Sequence, residues 1–472
     1  MKNVLNLKLA VLIAVLALSG CTMIPKYERP PAPVTTEYPG MTTTNKNGAA
    51  NITWRNFFAD ERLRKLIELA LANNRDMRVA ILNVEQSRAQ YRITRSASFP
   101  TVDGSGSYTR SSTSAGTVGQ GGSSLGSGTY VESQWSASLG TTAYEVDLWG
   151  RVRSLNQQAL EKHFATDEAR RSEQISLVSA VASEYFTLRE AEEQLQLAQQ
   201  TRAAVEKSYD LNQAMYNAGA STELDLRTAE GQVQTAKINV LTYQRQLAQA
   251  VNYLVLLIGQ PLPADLPAAR SFNETNLLAE IPAGLPSELV ERRPDILEAE
   301  HTLKAANADI GAARAAFFPT ITFTGSLGTT STEFEQLFGA GTGVWSFSPQ
   351  VTIPIFTGGE NRANLDSAKV GERIEVANYE KTIQTAFREV ADALVATSSY
   401  ARQLEVEVVY INAEQRRYDL ANLRYRQGED TYLNVLSAQQ DLYSAQQGRL
   451  NAQYNKLASQ ISLYQALGGG WK

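Results

Sequence analysis

Asn74-Arg75-Asp76 to Ser98-Phe99-Pro100-Thr101 returns later in the chain as Arg293-Pro294-Asp295 to Phe317-Phe318-Pro319-Thr320, at a constant offset of 219 residues. Further along, Tyr216-x-x-Gly219-x-x-x-x-Leu224-Asp225 returns as Tyr425-x-x-Gly428-x-x-x-x-Leu433-Asn434, at an offset of 209. A unit of about two hundred residues is much longer than one repeat of a solenoid, so each copy is a whole substructure. The sequence therefore predicts two copies with pseudo-symmetry about an axis, an arrangement from which pores are commonly built.

The composition excludes several classes of protein. The chain has 472 residues and a formal net charge of −5. It has no basic stripe of the kind that binds a phosphate backbone, so nucleic acid is not an expected partner. The mean hydropathy is −0.27, which excludes a bundle of membrane helices.

No set of residues typical of catalysis is present. The sequence contains no G-x-S-x-G motif, no Walker loop and no cluster with metal-ligand spacing. Its two histidines, His163 and His301, stand in helical segments without a spaced partner and are expected to be surface or packed helix residues. The sequence thus predicts a protein that is not an enzyme and binds no metal and no cofactor other than lipid.

Residues 1–20 have the features of a secretory signal peptide. The apolar run from Leu9 to Leu18 is shorter than the roughly 20 residues that a membrane-spanning helix needs. It ends in Leu18-Ser19-Gly20-Cys21, which resembles the bacterial lipobox, so Cys21 is expected to carry diacylglycerol on its sulfur and an acyl chain on its amino group. Cys21 is the only cysteine, so no internal disulfide is possible. In Gram-negative lipoproteins, Asp at the second mature position favours retention in the inner membrane. Here that position is Thr22, so the resemblance implies export to the outer membrane.

The mature chain is expected to begin with a lipidated, extended strap over residues 21–53, which is rich in Pro, Thr, Gly and Asn. Two repeats are predicted at 54–260 and 284–472, joined by a linker at 261–283. Each repeat follows the same plan of a helix, two strands, a very long helix, a turn and a second long helix.

The strands are predicted at about 99–110 and 133–148 in the first repeat, and at about 319–329 and 344–356 in the second. Apolar residues alternate there with Ser, Thr and Gln, as in Ile321, Phe323, Gly325 and Leu327, and in Trp345, Phe347, Pro349 and Val351. This alternation is typical of a transmembrane β-strand, and equally of a half-buried strand in a soluble sandwich.

Two further features belong to these strands. The Gly/Ser-rich stretch from Gly104 to Gly128 has too little apolar surface to pack and is expected to form an exposed loop tip. Trp345 stands at a strand end, where it would suit an aromatic girdle at a membrane interface.

The long helices are predicted at 151–217, 222–258, 362–426 and 431–467. About 65 helical residues extend roughly 100 Å. Apolar residues at spacings of three and four predict that these helices pack side by side, and the polar opposite faces are expected to be wetted.

Four membrane strands per chain cannot close by themselves. An open sheet in lipid leaves two edges of unpaired backbone groups, each of which costs several kcal/mol. Two chains would supply eight strands around a filled interior, and three would supply twelve around a usable lumen. The residues by themselves leave the copy number open.

Several motifs distributed over the mature chain point to one known family. They are Thr141–Arg151 (TTAYEVDLWGR), Gly284–Ser287 (GLPS), Arg292–Ile296 (RRPDI), Gly311–Pro319 (GAARAAFFP) and Ala466–Gly470 (ALGGG). With them the chain resembles the outer-membrane efflux protein family, in the OprM-type, or NodT, lipoprotein branch of TolC-like channels.

The resemblance implies a mixed α and β membrane protein, in which a homotrimer closes a 12-stranded transmembrane β-barrel that continues as a long periplasmic α-helical barrel. It implies a location in the outer membrane, both lipid-anchored and barrel-inserted. The implied function is the exit duct of a tripartite RND-type pump for antibiotics, solvents and other toxic compounds. The implied partners are a periplasmic adaptor (membrane fusion protein), an inner-membrane RND transporter and outer-membrane lipid.

The resemblance also gives roles to the turns between the long helices, at 216–228 and 425–437. In the family these tips form the periplasmic aperture, which engagement of the pump or adaptor opens. Asp225 and Tyr425 match positions whose contacts hold the tips together. Thr222 followed by Asp225 also reads as a capping box, and the two roles of Asp225 are compatible.

Four more residues complete the expected gate. Leu224 and Leu433 match positions of an apolar constriction, with ordinary first-turn packing as the alternative. Asn434 and Ser437 stand where relatives often carry carboxylates, and both are uncharged here.

The turns themselves are expected to face the adaptor. Gly219 and Gly428 should end the incoming helices in the left-handed conformation. Glu223, Glu429 and Asp430, together with Asp225, could supply an acidic ring in place of the missing carboxylates.

Two other functions stay open from the sequence. The chain could serve as the outer-membrane duct for type I protein secretion, or it could be a non-conducting structural envelope lipoprotein with the helices as a strut. The alternating strands favour a duct over a strut, and the lipobox favours efflux over secretion.

Overall fold

The computed structural model describes residues 22–35, 52–114, 129–272, 277 and 292–471. The predicted signal peptide, Cys21, residues 36–51 of the strap, and residues 273–276 and 278–283 of the predicted linker lie outside the described residues. In chain order the elements are α1 (Trp54–Phe57), α2 (Glu61–Asn73), α3 (Arg75–Ser96), β1 (Asp103–Ser114), β2 (Thr129–Glu145), α4 (Arg151–Asn217), α5 (Glu223–Ile258), α6 (Pro294–Ala315), β3 (Thr320–Ser331), a 3₁₀ turn (Phe334–Gln336), β4 (Gly343–Thr352), α7 (Glu360–Arg426) and α8 (Tyr432–Ala466).

The elements repeat. The order α3-β1-β2-α4-α5 returns as α6-β3-β4-α7-α8, and α4 and α7 each contain 67 residues. The predicted mixed α and β class, the two internal repeats and the four strands are therefore confirmed.

Three strands differ from the prediction by more than two residues at one or both ends. Strand β1 begins at Asp103 rather than 99 and ends at Ser114 rather than 110. Residues 104–114 belong to β1, so the interpretation of the Gly/Ser-rich stretch as a loop is wrong for that part, and 115–128 lie outside the described residues. Backbone pairing with β2 holds these residues, and it needs no apolar side chain. Strand β4 ends at Thr352 rather than 356, because Pro354 has no N–H to donate to a neighbouring strand.

Strand β2 begins at Thr129, four residues before the predicted residue 133, and ends before the predicted residue 148. It leaves the sheet at Glu145, after a register shift between Thr141 and Tyr144. Two residues later the carboxylate of Asp147 accepts the backbone N–H groups of Val152 at 3.2 Å and Arg153 at 2.8 Å. The chain turns after the strand so that the Asp147 carboxylate binds the first N–H groups of α4, which begins at Arg151.

The four strands form one antiparallel sheet in the order β1-β2-β3-β4. Leu139, Leu327 and Trp345 lie side by side on one face, and their exposed fractions are 63%, 69% and 77%. Within the described part of the chain no second layer covers this face, which argues against the soluble-sandwich alternative.

The opposite face is polar. Its cross-strand serine pairs are joined by hydroxyl hydrogen bonds, at 2.9 Å for Ser105–Ser138 and 2.8 Å for Ser326–Ser346. A Cβ added at Gly328 would lie 2.6 Å from Ser138 Cβ, whereas facing Cβ atoms in an ordinary sheet are about 5 Å apart. The sheet is therefore concave on its polar face between β2 and β3.

The chain divides into two compact units. The first, 1–29, 86–164 and 301–377, contains the sheet; the second is 30–85, 165–300 and 378–472. In the second unit the ring of Tyr464 stacks on Phe57 with centroids 4.0 Å apart, and its hydroxyl donates to the carbonyl oxygen of Ile52 at 2.6 Å. These residues belong to a buried apolar cluster that includes Trp54, Phe58, Leu66, Ile67, Tyr185, Phe186 and Leu457.

The two histidines, which have no spaced partner in the sequence, acquire partners from neighbouring helices in the first unit. His163 Nδ1 lies 2.9 Å from Ser87 Oγ, and His301 Nδ1 lies 2.6 Å from Glu161 Oε2. The ring of Phe164 stands 5.9 Å from the ring of His163 and 5.4 Å from that of His301. Both histidines are packed helix residues, as the sequence predicts.

None of the helices in the described ranges is both long enough and apolar enough to cross a membrane.

Tyr464 tests the packing of the second unit. Tyr464→Ala should lower the free energy of unfolding by about 3–5 kcal/mol, because it leaves a cavity against Phe57. Tyr464→Phe keeps the stacked ring and loses only the hydrogen bond to Ile52, so about 1 kcal/mol is expected. Thermal unfolding followed by circular dichroism measures both; equal losses would contradict the dominant role of the stack.

Candidate functional site

The two helix-to-helix turns copy each other at the backbone. Gly219 has φ +72° and Gly428 has φ +76°, so both adopt the predicted left-handed conformation. The N–H after each glycine reaches back to the carbonyl five residues earlier, from Ala220 to Met215 at 2.8 Å and from Glu429 to Arg424 at 3.0 Å. This is the Schellman ending of a helix, formed at both turns at the 209-residue offset.

The first turn starts α5 with a complete capping box. Thr222 Oγ1 accepts the backbone N–H of Asp225 at 3.2 Å, and Asp225 Oδ2 accepts the backbone N–H of Thr222 at 3.4 Å. The hydroxyl of Thr222 also donates to the same carboxylate oxygen at 2.7 Å. The capping interpretation of Asp225 is therefore confirmed.

The second turn has no such box. Asn434 stands at the position of Asp225, and the side chain of Thr431 makes no capping hydrogen bond. Instead Asp430 Oδ1 accepts the N–H of Thr431 at 2.8 Å and the side-chain amide of Asn434 at 2.6 Å. These two bonds, with Arg424 nearby, lower the pKa of Asp430. The carboxylate thus stands at Asp430, two residues before α8 begins, rather than inside the first turn, and the helix dipole favours a negative charge there too.

Tyr425 is held within its own chain. Its hydroxyl donates to Asn212 Oδ1 at 3.4 Å and lies 3.6 Å from the sulfur of Met215, both on α4. Asn212 is only 1% exposed, and its amide group donates to the carbonyl oxygen of Ser208 at 2.9 Å. The end of α7 is thus tied to the end of α4.

A small apolar cluster lies behind these turns. Tyr432, at the start of α8, is buried against Ala229 and Val435, and its ring lies 5.5 Å from the ring of Tyr425. Burial raises the pKa of Tyr432 to about 12, and the neighbouring tyrosines and Asp225 act in the same direction. The partly buried residues packed against the cluster are Tyr209, Tyr418, Ala421 and Tyr425.

Neither Tyr432 nor Asn212 was identified from the sequence. The position of Tyr432 corresponds in the first repeat to Glu223, which is exposed. A charged residue in one copy and an aromatic one in the other is the signal that could have found it. Asn212 gives no such signal, because only the packing of α4 beside α7 brings it to Tyr425.

Asp225 and Tyr425 are near each other without being bonded. The pKa of Tyr425 is raised first by burial and then by the charge of Asp225. Among the described residues no hydrogen bond joins the two, since Asp225 binds Thr222 and Tyr425 binds Asn212. Their role in holding the tips of different chains together stays a prediction.

The two leucines are uncovered. Leu224 is 76% exposed and Leu433 is 66% exposed, so the alternative of first-turn packing within the chain is wrong.

Three of the four acidic residues at the turns already have partners within the chain. Glu223 Oε1 lies 3.5 Å from Arg227 Nε, Asp225 belongs to the capping box, and Asp430 accepts hydrogen bonds from Thr431 and Asn434. Within the described ranges, only the Glu429 carboxylate of this group makes no hydrogen bond or ion pair. In an acidic ring of these four residues, three carboxylates would therefore already be bound to partners within their own chain.

Ser437 belongs to a charged network between α7 and α8. Its hydroxyl lies 3.4 Å from Arg417 Nη2 and 3.5 Å from Asp441 Oδ2. Arg417 pairs with Asp441 at 2.6 Å and with Glu414 at 3.0 Å. A carboxylate thus stands one turn beyond Ser437, and it is paired.

Comparison with known proteins gives one consistent result. The family model described as outer membrane efflux protein matches residues 66–260 and 285–469, one segment in each repeat. The antibiotic efflux pump outer membrane protein ArpC of Pseudomonas putida is 45% identical over 470 residues, covering 98% of this chain and 95% of the relative. The solvent efflux pump outer membrane protein SrpC of the same species is 45% identical over 468 residues, covering 98% and 97%.

A solved structure agrees over nearly the whole chain. The open state of the Neisseria gonorrhoeae MtrE outer membrane channel superposes with a TM-score of 0.87 at 40% identity, covering 96% of this chain and 99% of that one.

Tyr432 tests the cluster behind the turns. Tyr432→Ala removes a buried aromatic ring, which costs about 3 kcal/mol or more in a well-packed site. Amide hydrogen exchange over 216–228 and 425–437 should become at least about tenfold faster, since local opening sets the exchange rate.

The matched control is Glu223→Ala, at the same position of the first repeat, where the side chain is exposed. It should change exchange at the turns by less than about twofold, because an exposed ion pair contributes little. Equal effects of the two substitutions would show that the tyrosine cluster does not stabilise the turns.

Proposed function

The chain belongs to the outer membrane efflux protein family, and we propose from this that it is the outer-membrane exit duct of a tripartite RND-type pump for antibiotics, solvents and other toxic compounds. The family consists of transport channels. The names of relatives that match over almost their full length, with antibiotics and solvents as cargo, support this range of compounds. The protein is accordingly placed in the outer membrane of a Gram-negative cell.

The sheet is the observation that carries the proposal. One face presents apolar side chains that the chain leaves uncovered, and the other is concave and lined by hydrogen-bonded serines. These are the requirements of a wall with lipid outside and water inside. Since β1 and β4 have no further partner in the described residues, three copies joined edge to edge as a 12-stranded barrel would pair every strand and leave a lumen.

The helix tips are proposed as the periplasmic gate. Its residues are Asp225, Tyr425, Leu224, Leu433, Asn434 and Ser437. The uncovered side chains of Leu224 and Leu433 support this role, since they are free to meet their counterparts in neighbouring copies or the partner that opens the gate. The turns at Gly219 and Gly428, with Glu223, Glu429 and Asp430, are proposed to face a periplasmic adaptor, beyond which an inner-membrane RND transporter supplies the cargo.

Two acyl chains on diacylglycerol and one on the amino group of Cys21 are proposed to anchor the N-terminus. Each buried methylene contributes about 0.8 kcal/mol, so the anchor is stable. The duct itself needs no catalytic group, because the pump drives transport and the channel acts through its width and its charges.

Deletion of the gene tests the cargo. The minimum inhibitory concentrations of antibiotics, solvents and detergents should fall several-fold and return when the intact chain is supplied. A panel without any change, in a strain shown to express the protein, would contradict the efflux role.

Single-channel recording tests the gate. Asp225→Ala combined with Tyr425→Phe removes a cap and the bond to Asn212, so conductance in planar bilayers should rise several-fold. Thr235→Ala, three turns further along α5, is the control and should leave conductance unchanged. An unchanged double variant would remove these residues from the gate.

A further inference from the structure

One face of α6 binds the chain's own N-terminal strap. Arg314 Nη1 donates to the carbonyl oxygen of Met23 at 3.3 Å, and Asn307 Nδ2 donates to that of Pro25 at 2.9 Å. Both carbonyl groups belong to a segment without helix or strand, so side chains of α6 satisfy backbone acceptors that would otherwise need water.

A cation–π contact extends the same line. Lys304 Nζ lies 5.3 Å from the centre of the Tyr27 ring. Together with Asn307, Gly311 and Arg314, this lysine forms a single stripe of α6, because spacings of three and four residues place side chains on one helix face.

The dimensions of strap and helix agree. From Lys304 to Arg314 the helix rises about 15 Å at 1.5 Å per residue. From Tyr27 to Met23 an extended chain spans about 13 Å at roughly 3.3 Å per residue. The strap therefore runs antiparallel to α6 as an extended ribbon, in register with the stripe.

Gly311 is the point of closest approach. A Cβ there would lie 2.7 Å from Ile24 Cγ1 and 2.8 Å from the backbone nitrogen of Ile24, on the strap, and 2.6 Å from Ser154 Oγ, on α4. Any side chain at this position would displace the strap or α4. Glycine inside a helix costs up to about 1 kcal/mol relative to alanine, and the close seating of the strap is a physical reason for it here.

The stripe ends shortly before the sheet begins in the chain. Met23 meets Arg314 at the last turn of α6, and β3 begins at Thr320, only six residues after Arg314. Cys21 is two residues before Met23. The link from the proposed lipid attachment to Met23 is thus two residues, at most about 7 Å of extended chain.

We propose that Lys304, Asn307, Gly311 and Arg314 form a seat for the strap, and that the seat sets the level at which the acylated N-terminus enters the membrane relative to the start of the sheet. The proposal rests on the acylation of Cys21 proposed above. It assigns a positioning role to four residues of α6, which are distinct from the gate.

Trypsin cleavage after Lys26 in the full-length purified protein measures whether the seat is occupied. Lys26 is exposed, but its neighbours are held on α6, so cleavage requires the strap to leave the seat. Asn307→Ala with Arg314→Ala should accelerate cleavage by about tenfold, and Gly311→Leu by at least as much. Gly231→Leu is the control, since a Cβ at Gly231 meets nothing within 4 Å, and should leave the rate unchanged.

The double variant adds no bulk, so it remains informative if Gly311→Leu fails to fold. Rates equal to that of the unsubstituted protein in a folded double variant would overturn the seat. The mass of the released 21–26 peptide reports acylation of Cys21 separately.

Paired insertions test the positioning role. Six residues of Gly-Ser placed between Thr22 and Met23 lengthen the link from lipid to seat, and should lower the yield of sheet-inserted protein in the outer membrane several-fold. The same six residues between Pro33 and Val34, beyond the seat, should leave the yield unchanged. Equal yields would overturn the positioning role. The conductance of the inserted fraction is recorded in parallel. A protein that does not conduct, but whose strap is protected from trypsin, would contradict the proposed duct and still support the seat.

Discussion

Backbone hydrogen bonding at the edges of the sheet is the constraint on which the proposed assembly depends. Strands β1 and β4 end a four-stranded antiparallel sheet, and each carries a row of N–H and C=O groups on its outer side. Water could satisfy these groups, but lipid cannot, and each unsatisfied group in hydrocarbon costs several kcal/mol. The uncovered apolar face, with Leu139, Leu327 and Trp345, is in turn unfavourable in water. The closure with further copies proposed above would satisfy both demands at once.

The polar face shows how the same strands can enclose a lumen. Serine hydroxyls pair across neighbouring strands, and at Gly328 the strands approach too closely for any side chain. The sheet therefore curves toward its polar side. Small residues on that side allow the curvature, and the large apolar residues stand on the other side. The alternation of small polar and large apolar residues thus determines the direction in which the sheet curves. It also determines which face suits water and which suits lipid.

The helix tips show which structural features the two repeats share and which differ between them. The glycine turn is kept in both repeats, because its left-handed backbone leaves few substitutes for glycine. The helix start after it differs: Thr222 and Asp225 form a reciprocal box, whereas Asp430, before the start of α8, accepts hydrogen bonds from Thr431 and Asn434. Glu223 in the first repeat corresponds to Tyr432 in the second, so a buried ring is present at the second turn and absent from the first. Related turns can therefore differ in stability although their backbones match.

The sequence by itself determined the features that depend on residues close together in the chain. The duplicated plan, the bounds of the long helices within about two residues, the glycine turns and the Asp225 cap all follow from local periodicity or local backbone chemistry. The strand ends depended on the sheet, since pairing with a neighbour rather than side-chain character extended β1 through Gly/Ser-rich residues. The tertiary structure decided the pairing of His301 with Glu161, the bond from Tyr425 to Asn212 and the seating of Ile24 against Gly311. Each of these joins residues more than 100 positions apart, and the physical reason is the same in each case: a contact between distant residues exists only once the packing of whole helices has brought their surfaces together, and no local pattern records it.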